Sequence, residues 1–418
     1  MTLFGVADIG TYSTKTLIGE LDNGEISLAG VGKSDSKGVR NGKIVKPRQA
    51  GNSLSEATRR AEEMASKNLR SLYLGVGGNL LNFTTNEATI FITSKDRIVS
   101  QKDIDRLKDL VSSIDVGAQK SIISAIPQEF TLDGQEGVSN PLGLQGRRLD
   151  MSATLVTIND KSVRNYRDTT SQAGLKLAGL LPTPVCLGGL LLTEEEYRRG
   201  KLILDCGMGK TELVVFKQGQ LVDNNSFSPG GKNLTGDLAA KFNITPEEAR
   251  AVKHGVDLSL LTGKEVPASN SLGKHAEGNK PDKEKVLSVL SARLEETLDL
   301  IFSKIHELGH DDLLPHGIKI TGGNAKLPGL IDFLNDRFEP NFKMARPLQN
   351  IRGIEDVVEN PSYGSVLALL SCVTKGQFGN QEIKETGDMI PDGPSFLPGI
   401  LKKMRTFFSK GFGNTWRE

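Results

Sequence analysis

Two stretches about 200 residues apart share one grammar. In each, a strand ends in an aspartate, a short glycine-rich turn follows, and a second strand leaves. The first runs from Leu3 through Asp8, Gly10 and Thr11 into TYSTKTLIGEL. The second is KLILD, ending at Asp205, followed by CGMGK and TELVVF. A turn that short makes a hairpin of antiparallel strands. Helical patterns follow each hairpin, so the economical architecture is a duplicated α/β domain with two halves facing across a cleft. At 418 residues the chain exceeds what one core usually covers, which agrees with two or more domains.

The tetrad GKTE at 209–212 imitates the end of a P-loop. A P-loop needs G-x-x-x-x-G-K-[ST] before a helix whose N-terminal amides hold phosphate. Counting back from Gly209, the first glycine should occupy 204, which is Leu204. Thr211 to Phe216 is a β-branched and apolar run, and Lys217, Gln218 and Gly219 then turn the chain into Gln220-Leu221-Val222. That is strand and hairpin. Taken alone, such a turn is either an ordinary hairpin with glycines for positive φ or an anion cradle.

Between the two stretches, Ser53 and Glu56 form an S-x-x-E pattern ahead of Leu54, Ala57, Ala61, Met64 and Ala65, predicting a capping box and an amphipathic helix. LYLGVGG (72–78) predicts a buried strand. From about Phe83 to Lys161, strands alternate around one helix, as in a small inserted module. A helix over 162–174 and a strand LLPTPV then return to the first domain. In the second half, PGGKNLTGDLAAKF (229–242) carries a turn, Pro246 to Lys253 predicts a helix, and 262–282 predicts a mobile polar loop. A long helix over Lys283–Leu308 would bury Val286, Leu290, Leu294, Leu298, Ile301, Phe302 and Ile305. A strand over 316–321 then meets Gly322-Gly323, with a helix from near Leu327.

Lys and Arg number 52 against 51 Asp and Glu, and aromatic residues make up 5%, so neither a basic field nor a stacking surface for nucleic acid is expected. The three cysteines, Cys186, Cys206 and Cys372, match no metal pattern or disulfide framework, which points to a reducing, cytoplasmic compartment. No signal peptide and no run of 18 apolar residues is present.

Two Gly- and Thr-rich turns facing across a cleft can grip a polyphosphate from both sides. Asp8 and Asp205 at the strand ends suit Mg²⁺ held through water. Lys15 can reach a β- or γ-phosphate, and Gly322-Gly323 lets an adenosine approach closely. The order DIGTYSTK, LDCGMGKTELVVF, PGGKNLTGD, ITGGNAKLPG resembles the actin, Hsp70 and sugar-kinase superfamily. Within it, SDSKGVRNGKIV (34–45), the segment 126–157 and LLTEEEYRRGKLILD (191–205) resemble the bacterial cell-division family FtsA over nearly the whole chain.

That resemblance implies an actin-like two-lobed α/β ATPase fold of duplicated ribonuclease-H-like domains, with an inserted 1C subdomain in place of 1B. It implies subdomain 1A over 1–82 and 162–194, 1C over 83–161, 2A over 195–242 and 312–374, and 2B over 243–311. It also implies ATP with Mg²⁺ in the cleft, actin-like filaments, binding of the C-terminal tail of FtsZ through 2B, and contacts with other divisome proteins. Matched position by position, Gly10, Thr11, Ser13 and Lys15 form the first phosphate loop, with Asp205, Gly207, Gly209 and Lys210 in the second. Gly231 belongs to the third turn, Glu248 to the ribose or adenine contact, and Gly322, Gly323 and Asn324 to the adenosine loop. Lys210 departs from the usual G-G-G-T, either adding a phosphate contact or crowding the γ-phosphate, and Asn324 replaces a small residue. Cys186–Gly189 holds no Gln or Asp to orient water, so ATP binding is expected with weak or absent hydrolysis. The alternatives are a sugar kinase or Hsp70-like ATPase, or a pilus-assembly ATP-binding protein.

After a linker over 375–395, residues 396–418 predict a basic amphipathic helix. Leu397, Ile400, Leu401, Met404, Phe407 and Phe408 form one face, with Lys402, Lys403, Arg405 and Lys410 around the other and Phe412 and Trp416 as anchors. Such a helix lies in the interface of an anionic membrane, which the resemblance implies to be the cytoplasmic face of the inner membrane at the division site; the other reading docks it on the protein's own body. Three further patterns imitate sites. H-E-x-x-H at His306–His310 falls at a fraying helix end and reads as an exposed terminus, Glu194-Glu195-Glu196 as a solvated helix face, and Cys206 as a small buried residue.

Overall fold

The computed structural model describes residues 2–374 apart from 23, 139, 264–280 and 349–350, together with the backbone of 395–396. Strand β1 (Thr2–Ile9) pairs antiparallel with β2 (Ser13–Asp22), and β2 with β3 (Glu25–Asp35). Helix α1 (Pro47–Ala65) crosses back to place β4 (Ser71–Val76) parallel to β1. The chain then makes β5 (Leu81–Phe91), α2 (Gln101–Ser112), β6 (Lys120–Leu132) and β7 (Arg148–Asn159), a separate sheet with its own core around Leu107, Phe130, Leu149 and Leu155. Ser395–Phe396 adds a short parallel strand to its β6 edge. Helix α3 (Asp160–Gln172) leads to β8 (Lys176–Pro182), parallel to β4, and to the apolar helix α4 (Thr183–Leu191).

The second lobe repeats the plan. Strands β9 (Lys201–Cys206), β10 (Thr211–Lys217) and β11 (Gln220–Phe227) form an antiparallel meander. Helices α5 (Gly231–Phe242), α6 (Pro246–Gly255) and α7 (Lys283–Glu307) precede β12 (Ile318–Thr321), which lies parallel to β9. Helix α8 (Leu330–Arg337) leads to β13 (Phe342–Met344), parallel to β12, and α9 (Gly364–Thr374) returns to the first lobe. The order β3-β2-β1-β4-β8 in one sheet therefore matches β11-β10-β9-β12-β13 in the other. The hydrophobic alternation of the strands decides which face each sheet buries.

Every residue of α9 from Val366 to Thr374 is buried, and α4 is buried along nearly its whole length. A helix apolar all round needs partners on every side. Here α4 and α9 share a core with Val6, Leu74 and, from the second lobe, Ile203, Val214 and Phe216. Both lobes are thus attached to one continuous apolar centre.

Several sequence expectations shift. Helix α1 begins at Pro47, and Ser53 lies buried inside it, its hydroxyl donating to the Asp35 carbonyl at 2.8 Å and accepting from Lys37 N–H at 3.1 Å. The S-x-x-E pattern is not a cap, because the Pro47 ring already starts the helix and β3 supplies Ser53 with a better partner. LLPTPV is only half strand, since Thr183 opens α4, and PGGKNLTGD is already helix from Gly231. The element after Gly322 is a 3₁₀ turn over Gly323–Lys326, and α8 begins only at Leu330. Most of the polar stretch 262–282 lies outside the described residues.

The H-E-x-x-H pair is split by the end of α7 at Glu307. His306 is exposed beside Asp311, whereas His310 is buried, with Nε2 2.6 Å from Asp223, so it is not part of an exposed terminus. No group of three metal-binding side chains occurs among the described residues. Glu196 is not merely solvated either: it caps its own helix (Glu194–Arg199) and receives Lys319 at 2.6 Å.

Helix α1 lies directly on the backbone of β3, where a methyl built on Gly32 would fall 1.7 Å from the Ala57 carbonyl oxygen. Overpacking of this kind forces main chain apart. Gly32→Val is expected to lower unfolding stability by about 3 kcal/mol, read from urea denaturation midpoints at unchanged m-value.

Candidate nucleotide cleft

The β1–β2 and β9–β10 turns meet head to head. A methyl on Gly209 would fall 2.6 Å from Thr11 Oγ1, and the same hydroxyl accepts from Gly42 N–H at 2.9 Å. Behind this contact lies a cavity of about 520 Å³. Of the residues singled out from the sequence, Asp8, Gly10, Thr11, Ser13, Lys15, Asp205, Gly207, Gly209, Lys210, Gly322, Gly323 and Asn324 all line it.

Two do not. Gly231 lies behind the wall, packed against the Asn324 amide, and Glu248 faces solvent as the N3 residue of α6, exchanging hydrogen bonds with Thr245. The start of α6 needed a cap, and Thr245-Pro246-Glu247-Glu248 is a capping box, so the glutamate serves its own helix. From α6 it is Arg250, Lys253 and His254 that enter the cavity instead.

The first turn of α5 explains how the second turn can hold an anion. Gly231 N–H donates to the Gly207 carbonyl at 3.0 Å and Lys232 N–H to the Met208 carbonyl at 2.8 Å. Asn324 Nδ2 adds a second donor to Gly207 at 2.5 Å. In a trans peptide the N–H points opposite to the C=O. With both carbonyls tied back, the N–H groups of Met208 and Gly209 are directed toward the cavity that both residues line. The helix N-terminus thus orients the turn by holding its carbonyls.

Asp8 and Lys15 face each other across β1 and β2. Burial pushes the Asp8 carboxyl up, opposed by Lys15 and Lys210, and burial pulls the Lys15 ammonium down. Lys15 Nζ donates to the Ser362 carbonyl at 2.5 Å and lies over the Tyr363 ring, so it ties β2 to the segment before α9. Asp205 is pushed up to about 6 by burial and by Glu212, while accepting from Ser365 Oγ at 2.9 Å. Two half-buried carboxylates whose ionisation is resisted, at matching strand ends, fit a hydrated Mg²⁺, which needs only one or two carboxylates and would relieve that resistance. Cys206 beside them is half-buried and its thiol is pushed up to about 12, a range without thiolate chemistry.

The cavity wall carries six Lys or Arg side chains (15, 33, 210, 250, 253 and 326) against three carboxylates, Asp8, Asp205 and Glu212. Such an excess in a cleft favours a polyanion. Arg250 also stacks its guanidinium 3.6 Å over the Tyr12 ring, joining α6 to the first turn across the opening. Sequence reasoning passed over Glu212, Tyr12, Arg250, Lys253 and Lys326. Glu212 had one signal, a charge inside an otherwise apolar strand. Arg250, Lys253 and His254 had helical spacing on one face, but nothing local says that face meets the cleft.

These two lobes, with matched sheet orders and opposed turns, define an actin-like fold. Among solved structures, a chain of the PilM–PilN type IV pilus biogenesis complex aligns with TM-score 0.60 at 16% identity, covering 88% of this chain and 98% of that one. MreB5 of Spiroplasma citri bound to ADP aligns with TM-score 0.50 at 13% identity, covering 90% and 98%. The chain belongs to the FtsA family of cell-division proteins. The family model described as cell division protein FtsA matches residues 202–368, and that of the SHS2 domain inserted in FtsA matches 78–157. FtsA of Bacillus subtilis is 27% identical over 371 residues, covering 88% of this chain and 82% of its own. The Pseudomonas aeruginosa protein is 26% identical over 412 residues, covering 97% of each, and that of Escherichia coli 28% over 377, covering 87% and 88%.

Lys253 is buried, donating to the Gly231 carbonyl at 3.2 Å and to Asn324 Oδ1 at 3.3 Å. Burial, with Arg250 nearby, pulls its pKa down from 10.5 to about 8. The folded chain then holds fewer protons than the unfolded one between about pH 8 and 10.5, so stability rises with pH across that window. Ligand-free protein is expected to gain on the order of 1–3 kcal/mol there. Urea midpoints at the two ends of the window should show the gain in wild type and its loss in Lys253→Met.

Proposed function

We propose that this FtsA-family chain binds ATP with Mg²⁺ between its lobes and polymerises on the cytoplasmic face of the cell membrane at the division site. The observation that carries the nucleotide is the cationic cavity walled by two opposed turns, one with its carbonyls tied back and its amides turned inward. Asp8 and Asp205 would hold the hydrated Mg²⁺, whose chemistry is to neutralise phosphate charge. Thr11, Lys210 and the Met208 and Gly209 amides would meet the phosphates, and Arg250 and Lys253 would face the nucleoside end. The nucleotide-bound MreB5 relative in fold supports this reading.

Hydrolysis is weak in this proposal. Glu212 is a cavity carboxylate absent from the sequence argument, yet one oxygen accepts from Gly78 N–H at 2.5 Å and the other binds Lys210 at 2.8 Å. A carboxylate engaged on both oxygens is poorly placed to take a proton from water. Anchoring is assigned to the basic amphipathic segment 396–418, which lies, apart from the Phe396 backbone, outside the described residues. No described helix is long and apolar enough to cross a membrane. Family membership supports FtsZ-tail binding through 243–311, filament formation and recruitment of other division proteins.

Asp205→Ala and Thr11→Val should each weaken Mg²⁺-ATP binding by about tenfold, measured by displacement of a fluorescent nucleotide. Unchanged affinity in both would overturn the cleft assignment. Removing residues 396–418 should abolish co-sedimentation with anionic liposomes while leaving nucleotide affinity intact; undiminished sedimentation would exclude that anchor.

A further inference from the structure

Lys210 is inserted into the opposite lobe. Its side chain passes between two first-lobe glycines: a methyl on Gly42 would fall 3.2 Å from its Cε, and one on Gly78 only 1.8 Å from its Nζ. Gly78 adopts φ +65°, so its side-chain-free, left-handed backbone makes the space the ammonium occupies. The ammonium binds Glu212 Oε2 at 2.8 Å, and Glu212 Oε1 accepts from Gly78 N–H at 2.5 Å. Asn224 Nδ2 of β11 approaches the Gly78 carbonyl at 3.5 Å. The end of the second turn therefore closes on the segment following β4 through a charge pair and a peptide group. Glu212 is buried, so removing its partner leaves a poorly solvated charge.

The same ammonium also lines the cavity and opposes the rise in pKa of both Asp8 and Asp205. It thus stands at the carboxylate end, whereas Arg250, Lys253 and Lys326 cluster around His254. A lysine ammonium has three donors; Glu212 occupies one and two remain for the cavity.

We propose that Lys210, held in place by Glu212 against the Gly78 peptide, is the residue that distinguishes a nucleoside triphosphate from a diphosphate in this cleft. This rests on the nucleotide reading above. A nucleoside at the Arg250 and Lys253 cluster extends its phosphates toward Asp8 and Asp205, and the terminal phosphate is the one that reaches Lys210. Of the two alternatives open in the sequence, the lysine therefore adds a contact: its bulk is accommodated by the glycines of the facing lobe and does not fill the phosphate position. Glu212 is a positioning residue, fixing the ammonium and tying it to the first lobe.

The test uses the full chain with Lys210→Met, Glu212→Ala and Glu212→Gln. Affinities for Mg²⁺-ATP and Mg²⁺-ADP come from displacement of a fluorescent nucleotide, and hydrogen exchange of the peptide covering 77–80 is followed without ligand. Lys210→Met should weaken ATP by about tenfold and ADP by less than about twofold. Glu212→Gln should lower the ATP-to-ADP preference in the same direction while keeping protection at 77–80, because its amide oxygen still accepts from Gly78. Glu212→Ala should speed that exchange. An unchanged ATP-to-ADP ratio in Lys210→Met, with both nucleotides still bound, would overturn the assignment. Unchanged exchange in Glu212→Ala would overturn the positioning role. Wild-type protein that bound neither nucleotide would instead overturn the underlying reading, an outcome separable from both.

Discussion

The packing of α4 and α9 against each other and against both sheets is the constraint on which the cleft depends. Neither helix has a polar face, so neither can rest on one lobe and leave the other side in water. Their shared core draws in Val6 and Leu74 from the first sheet and Ile203, Val214 and Phe216 from the second. Burial on this scale holds β1 and β9 with their C-terminal ends facing, and the two hairpin turns therefore meet. Thr11 against Gly209 follows from that placement.

Around the meeting point, polar groups are satisfied by partners within the protein. The carbonyls of Gly207 and Met208 are taken by α5 and Asn324, Lys253 bridges Asn324 to Gly231, and Ser365 reaches Asp205 from α9. The turn amides and the strand-end carboxylates are left facing the cavity. The charges there are held against burial, which is why Asp8 and Asp205 resist ionisation and Lys15 and Lys253 resist protonation. A ligand carrying both phosphate and a divalent cation relieves each sign of strain together.

The inserted module is attached differently. It leaves after Gly77-Gly78 and returns through α3, and its β5, β6 and β7 bury their own cluster around Phe130 and Leu155. The chain departs at the very glycine that Lys210 and Glu212 contact. The base of the module and the carboxylate end of the cavity are thus joined through one peptide group.

Periodicity and turn chemistry were enough to read the duplicated hairpins, the long helix with its buried stripe, the inserted module and the residues of both turns, because each is decided within a few residues of chain. The same local reading misjudged Ser53, whose hydroxyl found the Asp35 carbonyl, and did not foresee that Glu248 caps its own helix and faces solvent. It also missed Arg250, Lys253 and Glu212, and it left Lys210 with two opposite roles. Their surroundings are set by the approach of elements far apart in sequence: α6 lies beside the cleft, and Gly42 and Gly78 leave space for a lysine from the other lobe. A strand or a turn is specified by neighbours along the chain, whereas the partner of a buried charge is specified by whichever surface the apolar core presses against it.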